Sequence, residues 1–253
     1  MTKIKRILVS QPKPDSEKHP YSELAEKNNL KIDFRPFIQV EGITVKDFRK
    51  TRIDILAHGA VIFTSKTAID HFFRLAEELR ICIPDEMKYF CSSESIAFYL
   101  QKYIIYRKRK IFYSSSGNLL DITDIFLKHK DENYLVPMSN AHKDEIPVLL
   151  DKIKIKYTQA ILYNTVCSDL SDISEINYDV LVFFSPTGIK SLMQNFPGFK
   201  QNDIKIATFG TTTAKAATEA GLRLDISAPQ PNAPSMTMAL EQYIREYNKS
   251  FKK

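Results

Sequence analysis

The sequence predicts an α/β protein made of two similar small domains, each a parallel sheet flanked by helices. Three observations lead there. Short apolar strands and amphipathic helices alternate along all 253 residues, which is the pattern of parallel β-α-β units. Segments of the chain repeat one another at domain scale. Strand-to-helix corners recur with Ser, Thr or Gly at the turn, where groups that cap a helix belong.

Lys5 to Gln11 is a short apolar strand, followed by a turn-rich stretch with Pro12, Pro14 and Pro20, a helix to about Asn29 and a strand from Leu30 to Ile38. Val45 to Leu56 has the spacing of an amphipathic helix. Ala60 to Ser65 reads as a strand, and Lys66 to Arg80 as a helix with Ile69, Phe72, Phe73 and Ala76 on one face. Strands at Lys88 to Ser93, Lys110 to Ser115, Tyr134 to Met138 and Tyr157 to Val166 alternate with helices at Glu94 to Tyr103, about Leu119 to His129 and around Glu145 to Ile153. Near the C-terminus, Ile206, Ala207 and Phe209 form a strand and Gly210 a sharp turn. Thr211 to Thr213 offer N-cap hydroxyls to an Ala-rich helix that Gly221 ends. Ala214, Ala217 and Ala220 share a face that can approach a sheet closely. Such a corner aims N–H groups and hydroxyls outward at the positive end of a helix dipole, a site suited to an anion or simply a capped turn.

Three internal alignments support duplication. AVIFTSKTAIDHF from Ala60 matches VLVFFSPTGIKSL from Val180, keeping a strand that ends in Ser and a helix with Ile at the same place. KYFCSSESIA from Lys88 matches KIATFGTTTA from Lys205, and Ile7 to Val40 matches Leu135 to Val166 as strand, helix, strand. Sequential and interleaved domains fit this order equally. In both, ligands belong at the carboxyl ends of the strands.

Composition narrows the function. A hydrophobic content of 43% gives a sizeable core, and the net charge of +6, spread along the chain, suits an anionic small molecule as well as nucleic acid. The densest basic run, Arg107 to Lys110, reads as a solvated strand edge. Three scattered cysteines suggest neither a disulfide framework nor zinc, and with no apolar signal region or membrane-length run the expectation is a cytoplasmic protein with no membrane association. The seven glycines make no phosphate-binding loop, the five histidines have no ligand spacing, and Ser65 and Ser185 lie outside a nucleophile elbow. What remains is a set of hydroxyl-bearing helix N-termini: Thr64 and Ser65, Ser93 and Ser95, Ser185 and Thr187, Thr211 to Thr213, and Ser235. Together they describe a cleft for a large polycarboxylate, with neither cofactor nor metal.

In its pattern the chain resembles the uroporphyrinogen-III synthase family. The residues that carry this are Phe183-Phe184-Ser185-Pro186, Gly210-Thr211-Thr212-Thr213-Ala214 and the Pro-rich corner Ala228 to Pro234. Phe63-Thr64-Ser65 and Asp144-Glu145-Ile146-Pro147 look like the N-terminal copy. The resemblance implies two α/β domains joined by a two-stranded connector, a bilobed arrangement with a hinged cleft. Residues 1–38 would join 167–253 in one domain and 41–163 would form the other, with connectors near 36–41 and 160–167. The paired endings PFIQV and LYNTV sit where such connectors belong.

The implied reaction closes hydroxymethylbilane, a linear tetrapyrrole with many carboxylates, to uroporphyrinogen III with loss of water and inversion of the last ring. The substrate ionises readily, so the protein's task is positioning. By resemblance, Tyr163 lies near the leaving hydroxyl, where a phenol can donate a hydrogen bond at neutral pH. Its alternative role is an aromatic packed at a hinge. Residues implied to bind substrate are Ser10, Thr64, Ser65, Ser139, Ser185, Pro186, Thr187, Gly188 and Gly210 with Thr211, Thr212 and Thr213. Thr211 stands where the family more often has proline. The corner Ser92 to Ile96 lacks the family's glycine and Thr-Ala pair, and Glu94 would repel a carboxylate. The expected protein is a monomer, in transient contact at most with the preceding enzyme. A non-catalytic binding or sensor protein for an anionic small molecule uses the same scaffold, and a nucleic-acid partner is a further alternative.

Overall fold

A computed structural model of the chain describes residues 3–16, 18–142, 145–173 and 176–249. Asp144 of the DEIP stretch lies outside the described residues. From the N-terminus the chain forms β1 (Arg6–Val9), α1 (Pro20–Asn28), β2 (Lys31–Phe34), β3 (Ile38–Gly42), α2 (Val45–Lys50), β4 (Ala60–Phe63) and α3 (Lys66–Glu78). Next come β5 (Lys88–Cys91), α4 (Glu94–Tyr99), β6 (Ile111–Tyr113), α5 (Thr123–Lys128), β7 (Tyr134–Ser139), α6 (Glu145–Lys152) and β8 (Tyr157–Cys167). The last elements are β9 (Val180–Phe183), α7 (Pro186–Asn195), β10 (Lys205–Phe209), α8 (Thr211–Glu219), β11 (Leu224–Ala228) and α9 (Met236–Lys249).

These elements make two compact units, one of Met1–Gln39 with Val166–Lys253 and one of Val40–Thr165. The sheet of the first unit has the order β2-β1-β9-β10-β11, joined by parallel pairs. In the second unit the order is β3-β8-β7-β4-β5-β6, parallel from β8 to β6. Setting β7 on β1, β8 on β2, β4 on β9, β5 on β10 and β6 on β11 makes the orders identical. The internal alignments found in the sequence fall on these same strand pairs.

Both faces of each sheet are covered at its centre, so β4 and β9 are apolar throughout, whereas the edge strands β2 and β3 carry charged residues. Alternation sorts the side chains. Ile7, Val9, Val180 and Val182 pack with Leu24 of α1 and Leu240 and Ile244 of α9, whereas Leu8, Leu181 and Phe183 pack with Ile189 and Leu192 of α7. In the second unit Val61, Phe63 and Leu135 meet α3, and Ala60, Ile62, Tyr134 and Val136 meet Phe126 of α5 and Leu149 and Leu150 of α6. Helix α3 follows the same logic, burying Ala68, Ile69, Phe72, Leu75 and Ala76 on one stripe.

Several sequence expectations are corrected. The strand expected from Leu30 to Ile38 is two strands in different sheets, because Pro36 has no N–H for a ladder and Phe37 turns inward against Phe183, with centroids 5.6 Å apart. The helix expected over Val45 to Leu56 stops at Lys50. Arg52 adopts φ 57°, and a separate 3-10 turn, Ile55–Ala57, starts at an Asp54 cap. Both α4 and α5 are shorter than expected, with 3-10 turns at Leu100–Lys102 and Leu119–Ile122 completing them.

Gly221 ends α8 as the sequence suggests, with φ 76° and Leu222 N–H donating to the Ala217 carbonyl at 3.0 Å. An added Cβ there meets no atom within 4 Å, so the position tests backbone conformation alone. Gly221→Ala is expected to lower unfolding free energy by about 1 kcal/mol in urea titrations, from the left-handed backbone alone.

Candidate active site

In each sheet the strand order reverses direction once, between β1 and β9 in the first unit and between β7 and β4 in the second. Chains leave such a pair to opposite faces, which opens a crevice at the carboxyl edge. In the second unit pairing joins Ala60 to Tyr134 and Val61 to Leu135, and two residues further Pro137 has no N–H to offer a neighbour. There lies a cleft of about 340 Å³, lined by Thr64, Ser65, Pro137, Ser139, His142, Glu145, Tyr163 and Thr165. Thr64, Glu145 and Ile146 also line an adjoining hollow of about 610 Å³ that reaches Ser92, Leu120 and Lys152.

Ser65 follows β4 by two residues and caps α3. Its backbone is extended, φ −153° and ψ 154°, and its Oγ accepts the Ala68 N–H at 3.0 Å. The Oγ also lies 3.2 Å from the Tyr163 hydroxyl. A β-bulge makes this meeting possible. Met138 is opposite Ile161, but Ser139 is opposite Tyr163, so Leu162 is an extra residue in β8. Ala160 and Leu162 pack on the α3 side and Ile161 on the α6 side. Alternation would send Tyr163 after Ile161; the extra residue sends it to the α3 side, where it is 9% exposed.

The loop after β7 holds this geometry. Asn140 N–H donates to the Tyr163 carbonyl at 3.2 Å, and its side-chain oxygen accepts the Thr165 N–H at 2.8 Å. Ser139 Oγ accepts the Ala141 N–H at 2.9 Å and lies 3.3 Å from Thr165 Oγ1. On the other side, the His71 imidazole stacks on the Tyr163 ring with centroids 5.1 Å apart and planes 18° apart. Burial pushes the His71 imidazole below its ordinary pKa; Arg74 adds to this and Asp70 opposes it.

The first unit carries a related edge. Ser185 caps α7 with φ −150° and ψ 153°, nearly the Ser65 conformation, and accepts the Gly188 N–H at 3.1 Å. Pro186 is the first helical residue, Thr187 is half-buried and Gly188 is buried. A Cβ on Gly188 would lie 3.8 Å from Ser10 Oγ, which places Ser10 of the β1 end beside this corner. Gly210, with φ 86°, is the N-cap of α8 and supplies no side-chain cap, so Thr211, Thr212 and Thr213 are not caps but the helix's first turn. Thr211 and Thr212 are exposed, whereas Thr213 is buried in the helix's inner face.

The matched corner at Ser93 likewise has no side-chain cap bond, and Glu94 accepts from the Tyr113 hydroxyl at 3.0 Å. Among the described residues no group of three or more His, Cys, Asp or Glu is placed to hold a metal ion, and no helix is long and apolar enough to cross a membrane. Sequence reasoning missed His71, Asn140 and Thr165. His71 falls about one and two-thirds turns after the Ser65 cap, on the helix face turned to Tyr163 of β8, which is the signal that could have found it.

The fold and site define a class: a paired parallel α/β protein whose sheet edges present hydroxyls and helix N-termini in place of a nucleotide loop. The model of the uroporphyrinogen-III synthase HemD family matches residues 19–238. A uroporphyrinogen-III synthase from Chlorobaculum parvum is 22% identical over 96% of this chain and all of that protein. The crystal structure of uroporphyrinogen-III synthetase from Helicobacter pylori 26695 superposes with a TM-score of 0.58 at 17% identity, covering 98% of this chain and 100% of the other. A mutant uroporphyrinogen III synthase from Thermus thermophilus gives 0.53 at 13%, covering 96% and 99%. The chain belongs to the uroporphyrinogen-III synthase family. Its activity is that of a cyclising hydro-lyase of tetrapyrrole biosynthesis, which closes hydroxymethylbilane to uroporphyrinogen III.

Caps that bond and caps that do not should differ in stability. Ser65→Ala is expected to lower the unfolding free energy by about 1 kcal/mol, and Ser93→Ala by less than about 0.5 kcal/mol, in matched urea titrations.

Proposed function

We propose that the hydroxyl of hydroxymethylbilane departs in the cleft over the β4/β7 switch point, and that Tyr163 donates a hydrogen bond to it as it leaves. The observation that supports this most is the bulge that turns the phenol onto Ser65 at the start of α3. Ser65 Oγ already accepts from Ala68, so its own hydrogen is available to the phenol oxygen. A phenol that accepts from Ser65 keeps its hydrogen for the ligand and is a better donor for it. The pyrrole nitrogen pushes the hydroxide out, so a hydrogen-bond donor aimed at the leaving oxygen suffices where a strong base is not needed.

Carboxylates of the substrate are the natural occupants of the remaining edge groups. Thr64, Ser65 and Ser139 face them in the second unit. In the first unit, Gly210 with the exposed Thr211 and Thr212 leaves the first N–H groups of α8 without a side-chain cap, which suits an anion. Ser10, Ser185, Pro186, Thr187 and Gly188 supply a second corner with the same polarity. Thr213 shapes the helix seat and does not touch ligand. On this reading the protein works as a cytoplasmic monomer, in transient contact with the enzyme that delivers its unstable substrate. The scattered cysteines and dispersed charge support that setting.

Tyr163→Phe keeps the ring and removes only the hydroxyl. Type III product formation should fall by about a hundredfold in kcat, with KM within about threefold of the parent. Wild-type kcat would remove Tyr163 from the chemistry.

A further inference from the structure

We propose that His71 is a positioning residue for this reaction, a flat seat wedged between the Tyr163 ring and the backbone of Gly42. The inference rests on the reading of Tyr163 above. It is carried by a closed ring of contacts. The imidazole stacks on the phenol at 5.1 Å and 18°. Behind it, a Cβ on Gly42 at the end of β3 would come within 2.8 Å of His71 Nδ1 and 2.6 Å of an Arg74 terminal nitrogen. A side chain on Gly42 would push the Arg74 guanidinium and the His71 ring out of these positions. Arg74 Nε donates to His71 Nδ1 at 3.3 Å, and its guanidinium also donates to the Ile43 carbonyl at 3.0 Å and pairs with Glu78 at 2.8 Å. Ile43 N–H donates to the Leu162 carbonyl at 3.1 Å, which returns the ring to β8 one residue from Tyr163.

Arginine can only donate, so Nδ1 must accept and the imidazole proton sits on Nε2. That fixes a neutral ring whose plane is set by Arg74 on one edge and by Gly42 behind. Among the described residues the phenol hydroxyl bonds to Ser65, which sets its direction but not the tilt of the ring. His71 sets the tilt. A misplacement of the hydroxyl by about an ångström is enough to lose much of a positioning effect.

The test compares the parent with H71A, H71F, Y163F, and the double variant H71A/Y163F, measuring kcat and KM for type III product. H71F keeps a flat ring against the phenol. The expected result is that H71A lowers kcat about tenfold with KM little changed, that H71F recovers most of the loss, and that H71A adds nothing to Y163F. Losses that multiply in the double variant, or an H71F as slow as H71A, would mean that His71 serves stability or another group, and would overturn the proposal. If Y163F is slow while H71A runs at the parent rate, the seat alone is overturned. Parent turnover in Y163F overturns the reading of Tyr163 and the proposal with it. An NMR measurement reads the contact without turnover: the His71 ring protons should carry an upfield ring-current shift that disappears in Y163L, and an absent shift would contradict the stack.

Discussion

One unpaired residue in β8 decides on which face of its sheet the Tyr163 phenol lies. Side chains in a strand alternate strictly, so an insertion reverses the face of everything beyond it. Leu162 is that insertion. Without it, Tyr163 would follow Ile161 into the core beneath α6, sealed among apolar side chains. With it, the phenol lies on the α3 face, beside Ser65 and over His71. Asn140 keeps the bulge in place by bonding to backbone on both sides of Asn164.

The duplicated units carry two kinds of matched corner. Ser65 and Ser185 fill their helix N-termini with their own hydroxyls, while Ser93 and Gly210 do not. A capped corner is rigid and can aim a hydroxyl at a neighbour. An uncapped one has donors left over for an anion. In the second unit the uncapped corner opens a short helix and carries Glu94, held by Tyr113, so it is poorly suited to a carboxylate. In the first unit the Gly210 corner, with exposed Thr211 and Thr212, carries no acidic side chain in its first turn.

Much of this was legible in the sequence because its signals are local. Short apolar strands, the hydroxyl or glycine at each corner and the repeat of AVIFTSKTAIDHF at Val180 each follow from a few neighbouring residues. The corner residues Ser65, Ser185 and Gly210 were found for that reason. What escaped depends on pairing between distant segments. Nothing near Leu162 marks a bulge, since the slip is a property of β8 against β7. His71 looked like an ordinary helix-face histidine because its partners, Gly42 and Tyr163, come from strands far away in sequence. The break at Pro36 was readable from proline alone, but the apolar run on either side of it reads as continuous. Thr211 to Thr213 were misplaced by a single position, because Gly210 with φ 86° takes the cap and pushes them into the first turn.

The central claim is that this chain closes hydroxymethylbilane to uroporphyrinogen III, with the last ring inverted as the macrocycle forms. It is tested most directly by supplying freshly generated hydroxymethylbilane to the purified protein, oxidising the products and separating the type I and type III uroporphyrins. The account predicts type III as the main isomer, in excess of a control without protein. Type I alone, from protein shown to be folded by its cooperative unfolding, would contradict it and leave a binding protein on the same scaffold.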